Sequence, residues 1–178
     1  MATKSSDAGY GSIAILIHWV SAILILVLIG SGFRSGFSDD TAAKLAILKV
    51  HIPVAILVLL LTIARLIWWW KADKKPAPLG TSPAWQEGIA TWIHRALYLL
   101  VFVLLGSGIS LSIISDVPDA VFGTAALPEL QDYAPRQVHG IAARVMAGLV
   151  ALHGLAALYH HFGKRDRTLR RMWFGAAK

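Results

Sequence analysis

The chain contains no cysteine among its 178 residues. It therefore forms no disulfide bond, holds no iron–sulfur cluster through thiolates and cannot attach haem covalently through a C-x-x-C-H motif. Any haem bound by this chain must be held noncovalently by other side chains, and histidine is the usual ligand of that kind.

Charged residues are also scarce, at 15% of the sequence, whereas 56% of the residues are hydrophobic. This composition is too apolar for an ordinary soluble domain and predicts a membrane protein. The formal net charge of +7 arises from Lys and Arg residues that mostly flank apolar runs. We therefore attribute the positive charge to membrane topology and lipid headgroups, and we expect no binding of nucleic acid.

Four apolar runs are each long enough to cross a bilayer as a helix. They cover about residues 13–32, 45–70, 88–114 and 138–162, and none of them contains Asp or Glu. The sequence therefore predicts an all-α membrane protein, in which residues 1–178 form a single domain built on a four-transmembrane-helix bundle. No convincing small-residue cleavage site follows the first run, so we expect no removable signal peptide.

The Lys and Arg residues between the apolar runs predict the orientation. Because the number of spans is even, both termini lie on the same side of the membrane. That side carries ten Lys or Arg residues in its flanking segments, against four on the opposite side. The positive-inside rule therefore places both termini in the cytoplasm. The ten are Lys4, Lys71, Lys74, Lys75, Lys164, Arg165, Arg167, Arg170, Arg171 and Lys178, and the four are Arg34, Lys44, Lys49 and Arg136.

Histidines inside the apolar runs are the main candidate functional residues, because an ionisable side chain within a membrane span usually marks a functional site. His139 and His153 are fourteen residues apart, so on one helix they share a stripe at depths about 21 Å apart. By depth, His18 pairs with His153 near the cytoplasmic face, and His51 pairs with His139 near the outer face.

Two pairs of histidines at two depths predict two noncovalent b-type haems, since each iron takes one neutral imidazole on either side of the macrocycle. For any one of these histidines alone, a hydrogen-bonded structural role is the alternative. Glycines lie toward the outer haem and give room for a flat ring, although glycine in membrane helices also permits close helix contact. They are Gly30, Gly32, Gly106, Gly108 and Gly140.

Cationic side chains near the predicted haems are candidate partners for the propionates. Arg65 lies fourteen residues after His51, which brings it near the level of the inner haem. We predict that Arg65 and Arg95 contact the inner propionates and that Lys49 contacts an outer one. For Arg95 and Lys49 the alternative is snorkelling to lipid headgroups. Arg144 has no assigned role.

Three further histidines lie toward the cytoplasmic side. His94 competes for the inner haem site, because the third span begins at that depth. His160 and His161 lie near the end of the last span, where a quinone headgroup could be bound and protonated. A solvated helix end is the alternative for this pair.

Four motifs, taken together, carry a resemblance to a known family. They are I-H-W at residues 17–19, K-V-H at 49–51, H-x13-H at 139–153, and A-L-Y-H-H-F at 157–162 followed by R-D-R-T-L-R-R-M at 165–172. In this combination the sequence closely resembles the bacterial cytochrome b561 family, over nearly the whole chain.

The resemblance implies a bacterial inner-membrane protein with two b-type haems, ligated at His18, His51, His139 and His153, which exchanges electrons with the quinone pool. One branch of the family resembles a superoxide oxidase. For that branch we expect superoxide to reduce the periplasmic haem, the cytoplasmic haem to receive the electrons, and ubiquinone to accept them near His160. The charge of the outer segments opposes this donor. Their Lys, Arg, Asp and Glu residues give a net charge of −2, whereas a positively charged surface would attract anionic superoxide.

Two other functions fit parts of the sequence. The first is a membrane-anchor subunit, resembling the b-type subunits of hydrogenases or formate dehydrogenases, that relays electrons between quinone and a peripheral partner. Short loops give a large partner little to contact, so we expect no obligatory protein partner. The second is a haem-free protein whose histidines carry protons or bind a transition metal, but such sites favour carboxylates beside histidine.

Overall fold

The computed structural model describes residues 2–80 and 82–174, so Lys178, one of the ten flanking basic residues, lies outside them. Within the described residues, four long helices could each cross a membrane by their length and composition. A short helix lies between the third and the last of them. The helices are α1 (Ser12–Phe37), α2 (Thr41–Ile67), α3 (Ala84–Ile114), the short α4 (Val117–Phe122) and α5 (Ala134–Leu158).

Each long helix begins before the apolar run predicted for it, because polar residues join its first turn. α2 begins at Thr41 rather than near residue 45. The carboxylate of Asp40 accepts a hydrogen bond from Ala42 N at 2.9 Å, which satisfies an otherwise unpaired N–H group at the helix start. α3 begins directly after Pro83, so that Glu87 lies in its first turn. The apolar run at residues 88–114 contains no acidic residue, but the complete helix α3 contains Glu87.

Both α2 and α5 continue into one wider turn, at Trp68–Ala72 and Tyr159–Gly163. In each turn a backbone N–H bonds to the carbonyl five residues earlier: Asp73 N to Trp68 O at 3.0 Å, and Lys164 N to Tyr159 O at 3.0 Å. Turns of this type are rare and occur frequently at functional sites. The second one carries His160 and His161.

The connection between α3 and α5 lies outside the predicted apolar runs, and it contains the short helix α4. α4 buries Val117, Ala120 and Val121, whose exposed fractions are 5%, 6% and 1%. The three residues have the spacing i, i+3, i+4 and share one helical face. A helix of six residues with three apolar positions gives too weak a periodic pattern to be recognised in a segment that is otherwise rich in acidic residues.

The chain divides into two compact units, and each long helix contributes a segment to both. Unit 1 comprises Met1–Ile23, Leu60–Arg95 and Leu149–Lys178, and unit 2 comprises Leu24–Leu59 and Ala96–Gly148. Few side chains are buried, and many large apolar side chains of the long helices are exposed. This distribution is expected of helices that face lipid.

In unit 1 the N-terminal segment packs against the α2–α3 connection and the C-terminal segment. The carboxylate of Asp73 accepts hydrogen bonds from Ser5 N at 3.0 Å and from Ser5 Oγ at 2.7 Å. The guanidinium of Arg171 donates to the carbonyls of Ala77 at 2.9 Å and Asp7 at 3.3 Å. The two ends of the described chain are therefore held side by side, as an even number of spans requires.

Candidate functional site

In unit 2, the rings of His51 from α2 and His139 from α5 face each other, with centroids 6.3 Å apart and planes inclined by 61°. A serine hydroxyl contacts the Nδ1 atom of each ring. Ser31 Oγ lies 2.9 Å from His51 Nδ1, and Ser107 Oγ lies 3.0 Å from His139 Nδ1. We call His51 and His139 the serine-linked pair.

The two serines determine which nitrogen of each ring carries the proton. Ser31 Oγ donates its own proton to the Leu28 carbonyl at 3.1 Å, and Ser107 Oγ donates to the Leu104 carbonyl at 3.0 Å. With its proton directed to that carbonyl, each hydroxyl can accept a hydrogen bond from the Nδ1–H of its histidine. A neutral imidazole protonated at Nδ1 has its lone pair at Nε2. That is the arrangement a metal ligand requires, with an acceptor fixing the ring.

Glycines flank both serines in the sequence G-S-G, at residues 30–32 of α1 and 106–108 of α3. A Cβ atom on Gly32 would lie 3.6 Å from His51 Cε1, and one on Gly108 would lie 3.6 Å from His139 Cε1. The helix backbone thus passes directly beside each ring. The same short motif on two helices positions the two histidines in the same way.

In unit 1, three histidines lie together: His18 from α1, His94 from α3 and His153 from α5. The rings of His18 and His153 have centroids 6.3 Å apart and planes inclined by 67°, and those of His94 and His153 are 5.2 Å apart. We call these residues the three-histidine cluster. Arg65 Nη2 lies 3.4 Å from His18 Nδ1. Because a guanidinium can only donate, the contact to His18 differs in kind from the serine contacts in unit 2.

The 6.3 Å separation between ring centroids recurs in both opposed pairs. A metal–nitrogen distance of about 2 Å and an imidazole ring radius of about 1.2 Å place the centroids of two axial ligands about 6.4 Å apart. The rings in each unit therefore have the separation of two imidazoles on opposite sides of one metal ion. Among residues 2–80 and 82–174, no group of three or more His, Cys, Asp or Glu is arranged to hold a metal ion.

The other predicted propionate partners lie at the surface. The Arg95 guanidinium lies 5.3 Å from the centroid of the Trp92 ring, as expected for a cation that stacks on an exposed aromatic residue. Lys49 is exposed, in the third turn of α2. In contrast, Arg136 and Arg144, which had no predicted role at a haem, approach the backbone beside His139.

His160 is bound by an acidic residue that follows it in the chain. Its Nδ1 atom lies 2.5 Å from Asp166 Oδ2, and Asp166 Oδ1 accepts a hydrogen bond from Thr168 N at 2.8 Å. Burial by itself would raise the pKa of Asp166, but the hydrogen bonds from His160 and Thr168 outweigh it and lower the pKa below its ordinary value. Asp166 is therefore an anion at neutral pH.

A cavity of about 320 Å³ lies beside this histidine and is lined by His161, Phe162, Arg165, Asp166 and Arg170. The Nδ1 atom of His161 is buried and has no hydrogen-bond partner among the described residues. The cavity thus combines an aromatic wall, two guanidinium groups and an imidazole nitrogen. Its volume lies at the lower end of the range of small-molecule binding sites, which suits the headgroup of a larger ligand.

Three residues with contacts to the histidines were not identified from the sequence: Ser31, Ser107 and Asp166. Serine inside an apolar helix usually bonds its own backbone, so neither serine was singled out. The signal that could have found them is the repeated G-S-G motif near the level of the outer histidines. Asp166 lies six residues after His160, a spacing that puts the two on different faces of a regular α-helix.

These features together define a helical membrane protein with two opposed histidine pairs, the architecture of a cytochrome of the b type. The family model for prokaryotic cytochrome b561 matches residues 9–175, and the chain belongs to that family. It is accordingly a membrane electron carrier, and membership implies that it binds haem b. No solved structure matches the chain significantly.

Three curated relatives cover nearly the whole chain. Cytochrome b561 homolog 2 of Escherichia coli (strain K12) is 29% identical over 181 residues, which is 97% of this chain and 95% of the relative. Cytochrome b561 homolog 1 of the same organism is 27% identical over 89% of this chain and 93% of the relative. The probable superoxide oxidase CybB of Yersinia pestis is 27% identical over 92% of this chain and 94% of the relative.

Proposed function

We propose that the protein binds two noncovalent b-type haems, one between His18 and His153 and the other between His51 and His139, and carries electrons across the membrane to ubiquinone. The observation that supports this most is the 6.3 Å separation of ring centroids in both pairs, which suits two axial ligands of one iron. A haem with two histidine ligands supplies one-electron transfer.

Ser31 and Ser107 position the serine-linked pair for this role. Each accepts the Nδ1–H of its histidine, which holds the ring in one orientation and leaves the Nε2 lone pair for iron. The hydroxyls are themselves fixed by their bonds to the backbone of the preceding helical turn.

Removing the Ser107 hydroxyl is expected to loosen the haem of the serine-linked pair. In Ser107→Ala, His139 loses the acceptor for its Nδ1–H, and haem affinity falls by roughly tenfold. The measurement is the rate of haem transfer from the purified protein to excess apomyoglobin. Ser112→Ala is the matched control, because the Ser112 hydroxyl donates to the Gly108 carbonyl on the same helix. Equal transfer rates in the two variants would contradict the positioning role.

Arg65 serves the other haem as a propionate partner. If His18 held a haem through Nε2, its Nδ1 would carry a proton, and a guanidinium cannot accept a hydrogen bond from it. The Arg65 side chain, which lies 3.4 Å from His18 Nδ1, would then bind a propionate carboxylate, for which a guanidinium is well matched. Two exposed residues are further candidates for propionate partners: Arg95 at the same haem and Lys49 at the haem of the serine-linked pair. His94, beside His153, contributes to the surroundings of the same haem.

We assign superoxide as the electron donor and ubiquinone as the acceptor. Two superoxide anions each lose one electron and become O2, while one ubiquinone gains two electrons and two protons and becomes ubiquinol. The relative from Yersinia pestis that is named a probable superoxide oxidase supports the donor. The His160–Asp166 contact supports proton delivery at His160, where the quinone carbonyl binds.

The proposed topology follows from the distribution of Lys and Arg, with both termini in the cytoplasm of a bacterium and the chain in its inner membrane. Superoxide then approaches from the periplasm at the level of the serine-linked pair, and ubiquinone is reduced near the cytoplasmic face. The contacts that join the N- and C-terminal segments support their placement on one side.

Stopped-flow mixing of the oxidised protein with superoxide tests the donor. The haem absorbance is expected to change to the reduced form faster than superoxide dismutates on its own under the same conditions. Superoxide dismutase added before mixing is the control and should abolish the change. If the haems stay oxidised with superoxide but are reduced by ubiquinol, the donor is wrong and the anchor-subunit alternative is favoured.

A further inference from the structure

Two guanidinium groups in unit 2 meet over a single glycine. Arg136 and Arg144 lie four residues before and four residues after Gly140 on α5. The position that a Cβ atom on Gly140 would take is 3.0 Å from Arg136 Nη1 and 3.5 Å from Arg144 Nη1. A Cβ atom at residue 140 would be in tight contact with Arg136 and in ordinary contact with Arg144, so both guanidinium groups lie beside the same point of the α5 backbone.

The direction of the Arg136 side chain is not explained by snorkelling. Side chains on a helix lean toward its N-terminus, which takes Arg144 toward Gly140 and toward the nearer membrane face. Arg136 lies close to the start of α5, and snorkelling would carry its charge farther toward that end. Instead its Nη1 atom lies beside Gly140, one turn toward the middle of the helix, and its Nη2 atom lies 4.0 Å from the Cβ position of Gly36.

Within the described residues, neither Arg136 nor Arg144 forms a salt bridge with a carboxylate. Two like charges directed at one point repel each other, and the repulsion is stronger near apolar surroundings than in water. An anionic group between them would remove this cost, and a guanidinium fork matches the two oxygens of a carboxylate.

Gly140 directly follows His139, a member of the serine-linked pair. We propose that Arg136 and Arg144 together bind a propionate carboxylate of the haem held by His51 and His139. This inference rests on the proposed haem ligation, and it gives Arg144 a role.

The test compares Arg136→Gln/Arg144→Gln with Arg34→Gln, which removes an exposed cation from the last turn of α1 in the same unit. Two quantities are measured on each purified protein: the midpoint potential of each haem and the rate of haem transfer to apomyoglobin. In the double variant the potential of one haem falls, because the cations stabilise the more negative reduced state. We expect a change of about tenfold in the one-electron equilibrium constant, which is about 59 mV.

Haem transfer provides the second readout. One of the two haems leaves the double variant at least about tenfold faster than the wild type, while the other haem and both haems of Arg34→Gln are unchanged. Arg136→Lys/Arg144→Lys keeps the charges without the forks, so its potentials stay near the wild-type values. A shift in the Lys variant as large as in the Gln variant would overturn the assignment.

The alternative is that Arg136 and Arg144 bind a diffusible anion instead of a haem propionate. In that case the potentials and transfer rates of the Gln variant equal those of the wild type, while inhibition of superoxide oxidation by added azide becomes weaker. This result overturns the propionate assignment. Failure of the proposed function is recognised separately, since the wild type would then lack two bis-histidine haems before any arginine is changed.

Discussion

His139→Ala is expected to contain one haem per chain where the wild type contains two. In the proposed ligation, His139 and His51 would hold one haem between them, and His51 alone would not hold a six-coordinate haem. The remaining haem, between His18 and His153, keeps both of its ligands. The measurement is the pyridine haemochrome absorbance divided by the amount of chain, with the low-spin spectrum of the remaining haem recorded on the same sample.

His94→Ala is the control for this experiment and also a test of the ligand assignment. His94 lies 5.2 Å from His153, between ring centroids, and competes with His18 as its partner. Because the His18–His153 separation is the one that suits axial ligation, His94→Ala should retain two haems. Loss of a haem from His94→Ala together with its retention in His18→Ala would transfer the ligand role to His94.

Asp166→Asn is expected to slow ubiquinone reduction by roughly 10²-fold without changing the haem content. In the wild type, His160 donates its Nδ1–H to Asp166 over 2.5 Å, and in the proposed quinone site this contact would direct Nε2 toward the quinone oxygen for proton exchange. The amide in the variant carries no charge and forms a weaker hydrogen bond with Nδ1–H. The rate is measured with superoxide as donor, and haem reduction by superoxide should stay at the wild-type rate.

Asp73→Asn is the matched control for Asp166→Asn. Asp73 lies in the same unit and outside the membrane spans. Burial works to raise its pKa, but hydrogen bonds from Ser5, Lys74 and Trp68 outweigh this effect and hold the pKa below its ordinary value. Asp73 contacts no histidine through those bonds, so its variant should reduce ubiquinone at the wild-type rate. Equal slowing in both variants would show that a general loss of structure at this end, rather than the contact to His160, limits the rate.

The pH dependence of the wild type follows from the direction of the Asp166 shift. The pKa of Asp166 is lowered from 3.8 in the folded protein, so its contribution to stability is complete above that value and is lost as the pH falls through the folded-state pKa. Between about pH 5 and 8 the carboxylate therefore stays ionised. Protonation of Asp166 should therefore contribute no change in the rate of ubiquinone reduction by the wild type within that range.

Much of the architecture could be predicted because membrane helices leave a strong signal in sequence. Length and hydropathy locate four helices, and the depth of each histidine along its helix pairs the same rings that lie 6.3 Å apart in the structure. That these rings ligate haem iron stays a prediction. The helices begin one to four residues before the predicted apolar runs, because capping by residues such as Asp40 depends on local hydrogen bonds rather than on hydropathy.

The features that were missed depend on contacts between helices or on irregular turns. Ser31 and Ser107 each bond to a histidine on another helix, at sequence separations of 20 and 32 residues. Asp166 lies beyond the end of the wide turn Tyr159–Gly163, and its backbone N–H bonds back to the His160 carbonyl at 3.1 Å. A period of 3.6 residues per turn predicts neither contact.

The haem content of the purified wild-type protein decides whether the two histidine pairs hold two b-type haems. Pyridine haemochrome analysis, with the amount of chain determined independently, is predicted to give close to two b-type haems per chain. Electron paramagnetic resonance of the oxidised protein should show both haems as low-spin iron with two histidine ligands. A single haem per chain would contradict one of the two pairs, and the absence of haem would contradict the whole account.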